Sequence, residues 1–297
     1  MTNASTFLAS TAIGLLLYGI FIDGINNVYV PSRLSNVLLV WSQSRTTIRN
    51  VSVGSNRSMS VFVTINGDIY IDNGYTNGRV DKFASNMTST AMTVNGTCYG
   101  LFVDLNKYLY CSMKDYHQVI KLLLNSSTTI PTVAAGIGSP GSTSTMLNSQ
   151  QGIYVDSNIN LYVADCGNDR IQLFQSGQLT AVTVLGNGSS NTDIILRCPT
   201  HVVLDNDGYL FVVDSYNHRI IGSSWNGSRC VVGCSGSGGV ASTQLSFPQT
   251  MGFDSYGNIY VTDRNNSRIQ KFTFIKTNCS KLYMCYYTTH IIALSVS

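Results

Sequence analysis

Val202-Val203-Leu204-Asp205-Asn206-Asp207-Gly208-Tyr209-Leu210-Phe211-Val212-Val213-Asp214-Ser215-Tyr216-Asn217-His218-Arg219-Ile220 is the stretch that decides the fold of this chain. An apolar run closes on Asp205, a polar Asn-Asp-Gly turn follows, and a second apolar run carries Phe211 and closes on Asp214. Alternation at period two around such a turn predicts a β-hairpin. The pattern recurs around Asp254 and Tyr260, Asp156 and Tyr162, Asp104 and Tyr110, Thr64 and Tyr70, and Asp23 and Tyr29, with the aromatic always six residues after the marker. Markers at 23, 64, 104, 156, 205 and 254 give steps of 41, 40, 52, 49 and 49 residues. Periods of this size belong to repeat architectures. A unit of this length holds four short antiparallel strands, A to D, which is the content of one propeller blade. Six blades closing on themselves protect sheet edges that an open array would leave bare. The predicted fold is therefore all-β, a six-bladed β-propeller. One domain spans 1–297, with repeats near 18–41, 60–83, 99–121, 151–174, 200–221 and 249–272 and closure by the terminal segments.

The last three copies continue Asp165-Cys166-Gly167-Asn168-Asp169-Arg170-Ile171-Gln172, Asp214-Ser215-Tyr216-Asn217-His218-Arg219-Ile220 and Asp263-Arg264-Asn265-Asn266-Ser267-Arg268-Ile269-Gln270. This resembles the NHL repeat, with its Gly-apolar-Asp strand, Ala-Asp step, Asn and Arg-Ile-Gln run. The resemblance covers about Tyr18 to Phe272 and drifts toward the N-terminus. There Ser32 and Val37, Asn73 and Arg79 with one residue inserted, and Met113 and Gln118 stand where later copies have Asp and Arg. A six-bladed propeller of four-stranded NHL-type repeats is what the resemblance implies.

The pairs Asp165 and Arg170, Asp214 and Arg219, and Asp263 and Arg268 read as structural. An Asp closing a strand accepts backbone N–H groups, and an Arg five residues later pairs with it. Six drifting copies of an active site make no chemical sense, so these residues are not assigned catalysis.

Charged residues make up 11% of the chain and the formal net charge is +3, too weak a field to signal nucleic acid by itself. Asn-x-Ser/Thr sequons begin at Asn3, Asn50, Asn56, Asn86, Asn95, Asn125, Asn187, Asn226, Asn265 and Asn278. Eight cysteines accompany them. B–C and D–A loops share one face of a blade, which brings Cys166 and Cys198 together at adjacent blades. Cys98 and Cys111 meet similarly, while Cys230 with Cys234 and Cys279 with Cys285 are sequence-local candidates. Sequons and disulfides together predict an extracellular or cell-surface protein, although no export signal is evident. A cytosolic set of buried free thiols is the alternative.

No metal or cofactor is expected. Cys230 and Cys234 lack a matching His pair, and Asp205-Asn206-Asp207-Gly208 reads as a hairpin turn rather than a calcium loop. The apolar run from Ala12 to Ile22 lacks the basic start of a leader, and Gly19 to Asp23 align with strand A of the other copies. His290-Ile291-Ile292-Ala293-Leu294 is too short to span a membrane and is expected to be the outer strand of the last blade.

Three function classes compete. Peptide-amidating lyases resemble NHL proteins and hold zinc through His placed five residues before the marker. Here those positions are Tyr18, Met59, Tyr99, Gln151, Thr200 and Gln249, so lyase chemistry ranks last. An intracellular platform like that of tripartite-motif NHL proteins would bind single-stranded RNA or serve as a substrate receptor in ubiquitination. The leading expectation is a non-catalytic binding scaffold, secreted or surface-exposed, whose loops meet a protein or glycan ligand. The candidate contact set is Tyr75, Tyr116, His117, Tyr216, Asn217, His218 and Arg264.

Overall fold

Each hairpin of the sequence is extended by two further strands into a four-stranded antiparallel sheet, and six such sheets make up the computed structural model. It describes residues 2–9, 17–32, 36–42, 48–53, 57–84, 89–124, 130–190, 193–224 and 227–274. Blade 4 is representative, with strand A at Ile153–Val155, B at Leu161–Asp165, C at Arg170–Phe174 and D at Ala181–Gly186. The protein is an all-β six-bladed propeller.

The chemistry of the repeat explains the packing. Strand B is mostly apolar and closes on a polar residue, and in blade 6 all of Ile259–Asp263 is buried, because neighbouring blades cover both faces of the sheet. Six buried clusters fill the six blade interfaces. Phe102 and Tyr110 of blade 3 pack with Ile153 and Val155 of blade 4, and Tyr260 and Ile269 of blade 6 pack with Leu17 and Val28 of blade 1. Innermost strands touch in succession around the ring. Two residues before the markers of blades 1 to 4, Phe21, Phe62, Phe102 and Tyr154 form a chain of rings with centroids 5.0, 4.9 and 5.2 Å apart.

In blades 1, 3 and 6 the six-residue spacing from marker to aromatic has a direct cause. Tyr29, Tyr110 and Tyr260 donate their hydroxyls to Oδ2 of Asp23, Asp104 and Asp254 at 2.9, 3.1 and 3.2 Å. Each Asp Oδ1 meanwhile accepts the backbone N–H four residues on and holds the A–B turn closed. In blade 2 the Thr64 hydroxyl accepts the Asp68 N–H at 3.2 Å and does the same work.

Closure differs from the sequence expectation. The outer strand of blade 6 is Thr2–Leu8, antiparallel to strand C (Arg268–Phe274), with Thr2 opposite Phe274 and Leu8 opposite Ile269. Ala4 packs into the cluster between blades 5 and 6, and Phe7 and Leu8 into the one between blades 6 and 1. The D position is thus filled from the other end of the chain, and His290–Leu294 lies outside the described residues.

Candidate functional site

The B–C and D–A loops meet on one face, and their geometry follows a repeated scheme. After strand B, the chain makes a 3-10 turn at Lys114–Tyr116, Cys166–Asn168, Ser215–Asn217 and Arg264–Asn266. Each turn ends on a left-handed residue, His117, Asp169, His218 or Ser267, with φ between 49 and 57°. The residue inserted in blade 2 converts this turn to a helical one at Gly74–Asn77, and Gly78 takes the left-handed position with φ 58°.

Within this frame, the three expected Asp/Arg pairs form. Arg170, Arg219 and Arg268 donate Nε to Oδ2 of Asp165, Asp214 and Asp263 at 2.8, 2.8 and 2.7 Å. The carboxylates are fully buried, and the Arg side chains are 8%, 24% and 13% exposed. Other guanidinium donors go to loop carbonyls. Arg170 reaches Ser142, Thr143 and Met146, whereas Arg268 reaches Val240, Ala241 and Gln244. Oδ1 of each Asp accepts the N–H of Asn148, Arg197 or Ser246 at the entry to its own blade. The set pins the D–A loop. Burial pushes the Asp165 carboxyl up, against the pull of the Asn148 N–H, Asn168 and Arg170.

Asn217 belongs to the same scheme. It donates to Oδ2 of Asp214 and to the Ile195 carbonyl, as Asn168 does to Asp165 and Gly141 and Asn266 to Asp263 and Gly239. His117 and His218 tie blades together. Nδ1 of His117 accepts the Ser149 N–H and Nδ1 of His218 the Phe247 N–H, both at 3.1 Å, and Oδ1 of Asp169 accepts the Cys198 N–H at 2.7 Å. Ser149, Cys198 and Phe247 are themselves left-handed. Asn168, Asn266 and Asp169 were not among the sequence candidates, although their alignment with Asn217 and His218 is visible in the repeat.

The tyrosines among the remaining candidates face outward, whereas Arg264 is half-buried, with Nε inaccessible and without a hydrogen-bond partner. Tyr75, Tyr116 and Tyr216 are each about half exposed (55%, 49% and 51%). Arg264 lies over the Tyr18 ring at 5.3 Å, Lys114 over Tyr99 at 5.1 Å and Arg57 over Tyr75 at 4.7 Å. The positions five residues before the markers are Tyr18, Met59 and Tyr99 on one side and Gln151, Thr200 and Gln249 on the other. Gln249 donates to Oε1 of Gln151 at 2.5 Å, past the intervening blade. His201, one residue further along strand A of blade 5, keeps some accessible surface yet packs among protein atoms, and that desolvation holds its pKa down to about 4. Its Nδ1 has no hydrogen-bond partner. Among the described residues, no three His, Cys, Asp or Glu side chains gather as a metal site, and no helix is long and apolar enough to cross a membrane.

Three disulfides join Cys98 to Cys111, Cys166 to Cys198 and Cys230 to Cys234. Cys166–Cys198 sits on the loop face, linking the B–C turn of blade 4 to the entry of blade 5, where Gln151 Nε2 lies 3.8 Å from Cys198 Sγ. Cys279 and Cys285 lie outside the described residues, as do the sequon residues Asn56, Asn86, Asn125, Asn226 and Asn278. Asn3, Asn50, Asn95, Asn187 and Asn265 are exposed.

Residues 245–272, spanning strands A to C of blade 6 with their Asp263/Asn266/Arg268 set, match the family model of the NHL repeat. The chain is a six-bladed propeller that carries an NHL repeat in its sixth blade. Over 102 residues it is 31% identical to Protein SUPPRESSOR OF QUENCHING 1, chloroplastic, of Arabidopsis thaliana; the match takes in 32% of this chain and 10% of that much longer one. A streptogramin B lyase structure superposes with a TM-score of 0.66 at 16% identity, covering 92% of this chain and 97% of the lyase. An auxiliary nutrient binding protein from Bacteroides thetaiotaomicron superposes with a TM-score of 0.70 at 15% identity, covering 92% of this chain and 76% of that one. At such identities this chain shares a propeller fold with these proteins, and a fold of this kind hosts both chemistry and binding.

Proposed function

We propose that this NHL propeller is a non-catalytic binding scaffold, exported or surface-exposed, that presents its B–C and D–A loop face to a protein or glycan partner. The observation that carries this reading is how the loop face divides its side chains. The Asp/Asn/Arg sets spend their polar atoms within the loops, and His117 and His218 spend Nδ1 on the next blade. Tyr75, Tyr116 and Tyr216 instead turn their rings to solvent on blades 2, 3 and 5. Rigid aromatic rings with a polar tip supply contact area at low entropic cost and suit peptide and sugar surfaces alike. Three disulfides favour an oxidising compartment, and the similarly folded nutrient binding protein supports a binding role. Glycans on Asn265 and Asn95 would each cover part of this face, since Asn95 lies in the loop beside Tyr116.

One observation favours a second reading, an intracellular platform for single-stranded RNA. Arg57, Lys114 and Arg264 each lie over a tyrosine on this same face, and paired cations and rings are what stacked bases need. The test is capture from secreted-protein and glycan libraries by protein made in a secretory host, beside a Tyr75→Ala/Tyr116→Ala/Tyr216→Ala variant. Loss of capture at an unchanged melting temperature supports the scaffold. Binding of RNA that weakens steeply with added salt would move the assignment to the second reading. Stoichiometric zinc that survives dialysis, together with lyase turnover, would overturn both.

A further inference from the structure

Contacts at the start of strand A run unbroken around the six blades. Gly19 lies so close to the Met59 carbonyl that an added Cβ would stand 2.9 Å from it, and Gly100 lies as close to the carbonyl of Gln151. Ser60 Oγ donates to the Cys98 carbonyl at 2.6 Å, the Gly152 N–H to Thr200 at 2.9 Å, Thr200 Oγ1 to Pro248 at 3.4 Å and Thr250 Oγ1 to Tyr18 at 2.9 Å. Tyr18, Met59, Tyr99, Gln151, Thr200 and Gln249 therefore belong to one closed ring on the loop face. On one side of it two glutamine side chains, Gln249 and Gln151, bridge the step from blade 6 to blade 4. The equivalent step on the other side, from blade 1 to blade 3, runs between Tyr18 and Tyr99, with Met59 between them.

Each end of that second step holds a cation. The Arg264 guanidinium lies 5.3 Å from the Tyr18 ring centroid, and Lys114 Nζ lies 5.1 Å from that of Tyr99. Among the described residues neither side chain makes a hydrogen bond or pairs with a carboxylate, Asp115 next to Lys114 included. Arg170, Arg219 and Arg268, by contrast, are tied to Asp165, Asp214 and Asp263. Stacking on a ring orders a guanidinium without neutralising it. Nε of Arg264 is buried, so the two terminal amino groups are the donors it offers to solvent, a flat fork that matches the two oxygens of a carboxylate. Phosphate sites also recruit backbone N–H groups, and in this turn they are spent, Asn265 on the Ser246 carbonyl and Ser267 on that of Arg264. The half-buried rings of Tyr18 and Tyr99 offer contact to an apolar body attached to the acid.

We propose that the loop-face mouth of the ring between blades 1 and 3 binds a small organic carboxylate, with its acid group on Arg264, its apolar body against Tyr18 and Tyr99, and Lys114 adding a second positive charge. The proposal does not depend on the partner assigned to Tyr75, Tyr116 and Tyr216. Isothermal titration of the full chain with phenylacetate, phenylacetamide and phenyl phosphate tests it. Phenylacetate is expected to bind and the uncharged amide is not. Arg264→Gln is expected to weaken phenylacetate by about tenfold or more and Lys114→Gln severalfold, at the parent's melting temperature because neither side chain bonds within the fold. The Tyr75→Ala/Tyr116→Ala/Tyr216→Ala variant should bind phenylacetate as the parent does, so a failure of the outer-loop reading is told apart from a failure of this one. No binding of phenylacetate, equal binding of the amide, or unchanged affinity in Arg264→Gln overturns the proposal. Tighter binding of phenyl phosphate overturns the carboxylate class and makes the ligand a phosphate. Should Arg264→Gln fail to fold, Arg264→Lys keeps the charge and removes the fork, and an affinity equal to the parent's overturns the proposal.

Discussion

His218 accepts the backbone N–H of Phe247 at Nδ1 across the boundary between blades 5 and 6, 3.1 Å away, and its ring lies edge-on to the Phe247 ring with centroids 4.5 Å apart. Blade 4 makes the same tie with Asp169 and the Cys198 N–H. A left-handed backbone with an acceptor side chain is what the position requires, and His, Asp and Asn all meet it.

His218→Ala should accordingly lose about 1–3 kcal/mol of stability through the orphaned N–H and the strained backbone. His218→Asp should recover most of it. Urea unfolding of both variants checks this, and equal losses would show that ring packing on Phe247, rather than the acceptor, is what matters.

The Arg residues should rank by burial. Arg170→Ala strips four hydrogen bonds from a nearly inaccessible site and should cost about 3–5 kcal/mol. Arg219, 24% exposed with fewer loop contacts, should cost less. Arg79 pairs with Asp81 on its own strand rather than across a B–C turn and is 41% exposed, so its loss should stay below about 1 kcal/mol. Melting temperatures in the reverse order would refute the pinning role.

The fold should be acid-sensitive through His201. Its folded pKa is about 4 against an ordinary 6.5, so the unfolded chain takes up the proton first as pH falls. Stability is complete above pH 6.5 and declines toward pH 4, by about 3 kcal/mol in all. His201→Gln should flatten this part of the stability profile, measured by urea midpoints between pH 7 and 4.

Alkaline sensitivity should arise from Tyr154. Burial, aided by Asp156, pushes its pKa from 10 up to about 12, so its contribution is intact below pH 10 and fades as pH rises toward 12. Tyr154→Phe should remove that dependence while keeping the ring contact with Phe102. An unaltered alkaline profile in the variant would place the sensitivity elsewhere.

Disulfide removal should follow loop length. Opening Cys166–Cys198, 32 residues apart, should cost about 4 kcal/mol and opening Cys230–Cys234, 4 apart, about 2. Paired Cys→Ser variants compared by denaturant midpoint test the order.

The repeat, the hairpins, the Asp/Arg pairs and the candidate cysteine pairs are legible in the residues alone. The repeat, the hairpins and the Asp/Arg pairs rest on short-range chemistry: period-two burial, turn residues that close on their own carboxylate, and side chains four to six positions apart on paired strands. Even Cys166 and Cys198 are brought together by blade topology alone. The remainder needed the packed ring of blades. Only pairing between the two ends of the chain could show that Thr2–Leu8, and not His290–Leu294, completes blade 6, because any exposed strand edge accepts any extended segment with matching faces. Only the packed ring could separate His117, Asn217 and His218, which bind neighbouring backbone, from Tyr75, Tyr116 and Tyr216, which face solvent. Those bonds join residues about 20 to 30 apart in sequence, and the acceptor can be His or Asp, so nothing in the identity of the residue reveals the contact until the blades are set side by side.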